Sequence, residues 1–168
     1  FTAYGTGNQP VISGSDHVDG GGDYREAILV ENEDNMIFED LEIQNHRTTS
    51  RSGVGDLVSF GIQVISSSPG TKNNFTFRDM TFKNVYGLSW VDPVNQEAFN
   101  AFEVSGLTFK SSWAGIINDV VVEDSYFTDL QRIGIHIKNT SGKTSDKRNT
   151  NIVVRRNEFF QIGGTCVL

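Results

Sequence analysis

Four segments of this chain align without gaps over a dozen positions, and no other feature narrows the possible folds so far. They run from Asn35 to His46, Asn74 to Val85, Asp119 to Leu130 and Asn151 to Ile162. An Asn or Asp opens each one. Apolar residues follow at the second and fourth places: Met36 and Phe38, Phe75 and Phe77, Val120 and Val122, Ile152 and Val154. The ninth place holds Ile43, Phe82, Phe127 and Phe159, and the eleventh Asn45, Asn84, Asp129 and Gln161. Period-two alternation broken by a polar residue describes a short strand, a tight bend and another short strand. A unit of that size cannot bury its own apolar face, but stacked copies build a continuous interior.

Upstream of each box the pattern predicts a further short strand, at Ala27–Val30, Gly61–Val64, Ala101–Val104 and Gly134–Ile137. A fifth begins near Gly164. The starts are 34, 40 and 33 residues apart, so one unit supplies about three strands plus loops of variable length. The expected architecture is a parallel β-solenoid of four to five rungs forming a single domain over residues 1–168. Ninth-place residues then stack inside, and Asn45, Asn84 and Asp129 form a polar ladder that satisfies backbone groups at a corner. A β-sandwich also has many short strands, but its strands share no common register of side-chain identity. Neither end of the sequence offers a cap, which predicts either a piece of a longer solenoid or ends covered by a neighbouring subunit.

Composition agrees. Seven Leu and five Ala stand against sixteen Val, thirteen Ile and twelve Phe, a balance that disfavours helices and favours strands. No apolar run approaches the roughly 20 residues of a membrane helix, and no targeting leader is visible. A net charge of −7 argues against a nucleic-acid partner, which calls for a clustered positive face. One cysteine, Cys166, excludes an internal disulfide and any multi-cysteine metal site, and reads as a small buried residue.

The opening Thr2–Ile12, the Asn/Asp-led boxes, and Arg132-Ile133-Gly134-Ile135-His136 followed by Ile162-Gly163-Gly164 together give the chain a familiar look. It resembles the N-terminal half of right-handed parallel β-helix proteins of the pectate-lyase-like superfamily, which includes polysaccharide lyases and related glycoside hydrolases. The resemblance spans essentially the whole chain. It implies an all-β, right-handed parallel β-helix in a secreted, periplasmic or cell-surface protein that handles a polysaccharide. The same fold hosts several chemistries and some non-catalytic binding or structural proteins. No catalytic signature matches residue by residue.

On such a solenoid the chemistry is expected on an outward sheet face. With Ile28, Val30, Ile62, Val64, Phe102, Val104, Ile135 and Ile137 pointing inward, one outward column reads Leu29, Gln63, Glu103, His136. A second reads Glu31, Ile65, Ser105, Lys138, and Arg132 lies just before the last strand. Cleaving a uronate-containing polymer by β-elimination takes a cation to neutralise the sugar carboxylate and a base to remove the acidified carbon-bound proton. Arg132 or Lys138 suits the first task, and His136 or a Lys138 of lowered pKa the second. Glu103 completes the candidate catalytic group, with Gln63 as a substrate contact. Hydrolysis instead needs two carboxylates roughly 5–10 Å apart; the column of Glu103 offers only Glu31, two rungs away, and Asp56 or Asp92, on loops, are the other candidates. The plain alternative is a set of solvated residues on an exposed sheet.

Trp90 and Trp113 fall in loop-like stretches, where an indole either stacks on a sugar ring or plugs a gap beneath its loop. Asp16-His17-Val18-Asp19 and Asp23 can gather oxygen ligands for calcium, although an inter-rung turn rich in Asp and Gly reads the same way. His46 and Arg47, closing the first box, are expected to face solvent.

Overall fold

The computed structural model describes residues 1–3, 5, 7–14, 24–50, 56–89, 102–139 and 148–168. Among them are fourteen strands and no helix. The first sheet stacks β2 (Glu26–Glu31), β5 (Val58–Ser66), β8 (Glu103–Ser111), β11 (Ile133–Asn139) and β14 (Thr165–Val167). The second stacks β3 (Met36–Glu39), β6 (Gly70–Arg78), β9 (Gly115–Glu123) and β12 (Thr150–Arg155). The third stacks β1 (Val11–Ser13), β4 (Glu42–His46), β7 (Thr81–Tyr86), β10 (Tyr126–Leu130) and β13 (Glu158–Ile162). The chain visits the three sheets in turn and every strand pair is parallel, so the molecule is a right-handed parallel β-helix.

The box alignment is the physical register. Met36 pairs with Phe75, Phe75 with Val120 and Val120 with Ile152. Ile43, Phe82, Phe127 and Phe159 stack in the same way in the third sheet. Their rings lie nearly parallel, Phe82 to Phe127 at 4.7 Å and Phe127 to Phe159 at 4.9 Å between centroids. In the second sheet Phe38 and Phe77 stack at 5.1 Å, and Phe1 covers Phe38 at the same spacing. Ile43, Phe82, Phe127, Phe38 and Phe77, with Val64, Phe75, Leu107, Phe109 and Val122, form one buried core against which the partly buried Phe159 packs.

Sharp corners follow from residues that tolerate the left-handed region. The opening residues Asn35, Asn74, Asp119 and Asn151 all have φ between 49° and 64°, as do Asp40, Asp79, Asp124 and Arg156 at the sixth place. Asn and Asp enter this region at least cost among non-glycine residues, so each turns the chain without a loop. At the eleventh place Asn84, Asp129 and Gln161 do the same, but Asn45 does not. A register shift after Ile43 pairs Asn45 with Val85, and its amide is buried, donating to the carbonyls of Tyr24, Arg25 and Phe60. The expected ladder through Asn45, Asn84 and Asp129 is therefore corrected. Side-chain ladders run instead through the opening residues: Asn74 Nδ2 donates to Asn35 Oδ1 at 2.7 Å, and Asn151 Nδ2 to Asp119 Oδ1 at 3.1 Å.

Three other expectations change. Ile28, Ile62, Leu107 and Ile135 face one another, so the rungs are 34, 45 and 28 residues apart rather than 34, 40 and 33. His46 is exposed, with its ring tilted against Tyr86 at 5.0 Å, but Arg47 is buried and donates through Nη1 to the Val58 carbonyl at 2.8 Å. Cys166 is exposed, because it lies on β14, the outermost strand of its sheet. The fifth upstream strand expected near Gly164 is β14 itself.

Candidate functional site

The strands of the first sheet are folded in the middle. In β8 the hydroxyls of Ser105 and Thr108 hydrogen-bond to each other although they are three positions apart. A straight strand would place them on opposite faces. Both must therefore lie on the inside of a bend centred on Gly106, and the register repeats it at Gly61 and Gly134. Glycine is required there by close approach. A Cβ on Gly134 would sit 2.5 Å from the Cys166 carbonyl oxygen and 2.6 Å from the Phe159 ring, and one on Gly61 would overlap the Gly106 carbonyl.

Each bend brings two limbs of a strand face to face outside the core, making a crease along the solenoid. Phe60, Ser105 and Ile133 line one limb, and Gln63, Thr108 and His136 the other. All but His136 are buried, so the floor of the crease is closed. Charged groups gather at its rim. Glu103 stands on the first limb, and Lys110 and Lys138, backbone partners on neighbouring strands, on the second. Lys138 Nζ donates to a Glu103 carboxylate oxygen across the crease, with 37% of the Lys138 and 20% of the Glu103 side chain exposed. Arg132 enters just before β11 with its guanidinium carbon 5.5 Å from the Phe102 ring centroid.

Burial alone would raise the Glu103 carboxyl, but the hydrogen bond and charge of Lys138, helped by Lys110 and His136, hold it below the usual carboxylate range. His136 moves from 6.5 down to about 4. Burial is the main cause; the positive charge of Lys138 adds to it, Glu103 opposes it, and Arg132 and Lys110 contribute further. The imidazole is thus uncharged at neutral pH. Burial also draws Arg132 below its ordinary value, against the pull of Glu103, and its guanidinium stays cationic at any working pH. The cluster sets three basic side chains, Arg132, Lys110 and Lys138, against one carboxylate, in a chain whose net charge is −7.

Glu103, Arg132, His136 and Lys138 therefore share one electrostatic neighbourhood, but not in the arrangement expected from the sequence. The column beside Gln63 and His136 is filled by Thr108, not Glu103, and the column ending in Lys138 contains Lys110, not Ser105. Glu103 belongs five residues earlier on the same strand, and only the bend returns it to Lys138. Gln63 is in its expected column but 2% exposed, beneath the rim. Thr108 and Lys110 were missed, although Gly-Leu-Thr-Phe repeats the Gly-Ile-Gln-Val and Gly-Ile-His-Ile pattern of the neighbouring rungs. Trp113 follows β8 at the next corner and is 60% exposed, as a stacking surface requires. Asp56 accepts a hydrogen bond from Ser50 at 3.1 Å. Trp90, Asp92 and the Asp16–Asp23 segment lie outside the described residues. Among the described residues no group of three His, Cys, Asp or Glu side chains is placed to hold a metal ion.

Compared with protein-family models, curated proteins and solved structures, the chain gives no match.

Proposed function

We propose that this β-helix belongs to the pectate-lyase-like superfamily and is a polysaccharide lyase that cleaves a uronate-containing polymer by β-elimination at the crease. The observation that carries the reading is the gathering of Arg132, Lys110 and Lys138 around an uncharged His136 in an otherwise acidic molecule. Cations clustered at one place attract and orient a polyanion that the remaining surface repels. In the proposed reaction the cationic rim neutralises the sugar carboxylate, which acidifies the proton on the adjacent carbon. His136, uncharged but weakly basic until the bound sugar carboxylate offsets the surrounding cations and raises it, takes that proton; a carbon–carbon double bond forms, and the glycosidic oxygen leaves and is protonated by Lys138 or water. Glu103 positions the Lys138 ammonium, and Trp113 offers an apolar face to a neighbouring sugar. A secreted, periplasmic or surface location suits such a substrate.

The test is incubation with alginate, pectate and chondroitin while the ultraviolet absorbance of the unsaturated product is followed. A rise in absorbance that His136→Ala lowers by about 10²-fold or more supports the reading. Release of reducing sugar without that absorbance would make the protein a hydrolase on the same fold. Binding without turnover would make it a glycan-binding solenoid.

A further inference from the structure

Lys110 has no role in the sequence-based site, and its surroundings give it one. It is the direct backbone partner of Lys138, so two ammonium-bearing side chains leave neighbouring strands on the same limb of the crease. Parallel strands lie about 4.8 Å apart, and like charges directly opposite each other at that spacing are destabilising unless an anion relieves them. Only part of that relief is present. Lys138 is bound to Glu103, whereas Lys110 makes no ion pair or side-chain hydrogen bond among the described residues. Glu103 feels Lys110 as a favourable charge, but its carboxylate is taken by Lys138. The corresponding positions of the two preceding rungs are Ile65 and Glu31, so the paired cations are peculiar to the third and fourth rungs. Solvated surface lysines need no explanation; a half-buried one facing a second lysine does.

We infer that Lys110 is the carboxylate-binding, specificity-determining residue of the crease, receiving one acidic group of an anionic sugar polymer on its own ammonium, beside the Lys138–Glu103 pair. This rests on the proposed reading that the crease takes an acidic polysaccharide, and it assigns the acid-recognition step to a residue outside the proton-transfer pair. Arg132, committed to the Phe102 face, and Lys138, committed to Glu103, then serve the reaction, while Lys110 selects a charged sugar over a neutral one. A charge-assisted hydrogen bond lost from one carboxylate weakens binding roughly ten-fold or more.

The probes are tetragalacturonate and tetramannuronate, with the neutral cellotetraose as control, titrated calorimetrically into the intact chain. Wild type is expected to bind at least one uronate tetramer and not cellotetraose, with affinity falling as salt rises. Lys110→Ala should lose about ten-fold or more of that affinity and much of its salt dependence. Lys110→Arg should restore both, and Lys72→Ala, on the second sheet, should change neither. Equal binding of uronates by wild type and Lys110→Ala overturns the inference, as does failure of wild type to bind any uronate or equal binding of cellotetraose. Lys110-dependent uronate binding without unsaturated product would sink the lyase reading and leave this assignment standing.

Discussion

Acidification offers a direct test of how tightly His136 is held in its uncharged form. Its folded-state value of about 4 lies below the ordinary 6.5, so the unfolded chain binds the proton more readily than the folded one. Stability contributed by the neutral ring is complete above pH 6.5 and is lost as pH falls toward 4. With those two values, linkage gives at most ~2.5 kcal/mol between neutral pH and pH 4.5, and solvent screening of the partly exposed ring brings the expected loss to roughly 1–2 kcal/mol. For a chain of this size that is a fall in Tm of roughly 2–8 °C. Glu39, Glu103, Glu123 and Asp124 are all held below their ordinary range, so their stabilising contributions are lost only at lower pH. The measurement is thermal unfolding by circular dichroism at half-unit steps from pH 7 to 4.5, on wild type and His136→Gln. The difference between the two curves should grow by the amount stated. Lys138→Met, which removes the largest charge opposing protonation but leaves the burial, should reduce the wild-type slope without abolishing it. Parallel curves for wild type and His136→Gln would refute the argument, because a ring titrating near 6.5 in both states contributes no slope.

Two further outcomes probe the frame that holds the crease. Phe127→Ala removes a fully buried ring stacked between Phe82 and Phe159, and should cost about 3–5 kcal/mol in urea unfolding. Gly134→Ala should cost ~1–3 kcal/mol, because the added methyl meets a backbone carbonyl that cannot move away without shifting β14; an unchanged midpoint would show that the bend is looser than described.

The stack was legible because each corner leaves a letter behind. Asn and Asp recur where φ is positive, and apolar residues recur where side chains meet inside, so the twelve-residue boxes could be laid directly on one another. The first sheet was harder to read. Ala101-Phe-Glu-Val104 alternates as well as Gly106-Leu-Thr-Phe109 does, and alternation alone cannot choose between them. The choice is made by the glycine, whose missing side chain admits the next rung's carbonyl. That requirement is tertiary and has no periodic signature. Glu103 was accordingly grouped with the right neighbours through the wrong column, and Lys110 was passed over. Arg47 illustrates the same limit, since nothing local distinguishes a corner arginine in solvent from one folded inward onto the Val58 carbonyl.

Because the corners at the first and sixth places of each box are made at single residues, the longer excursions from one box to the next are decoupled from the stack. Rungs of 34, 45 and 28 residues pair side by side in the first sheet. A segment inserted between one box and the next would thus lengthen a rung without displacing a single core ring. Such a scaffold can change what it accepts by editing its margins, while the columns of phenylalanine beneath stay as they are.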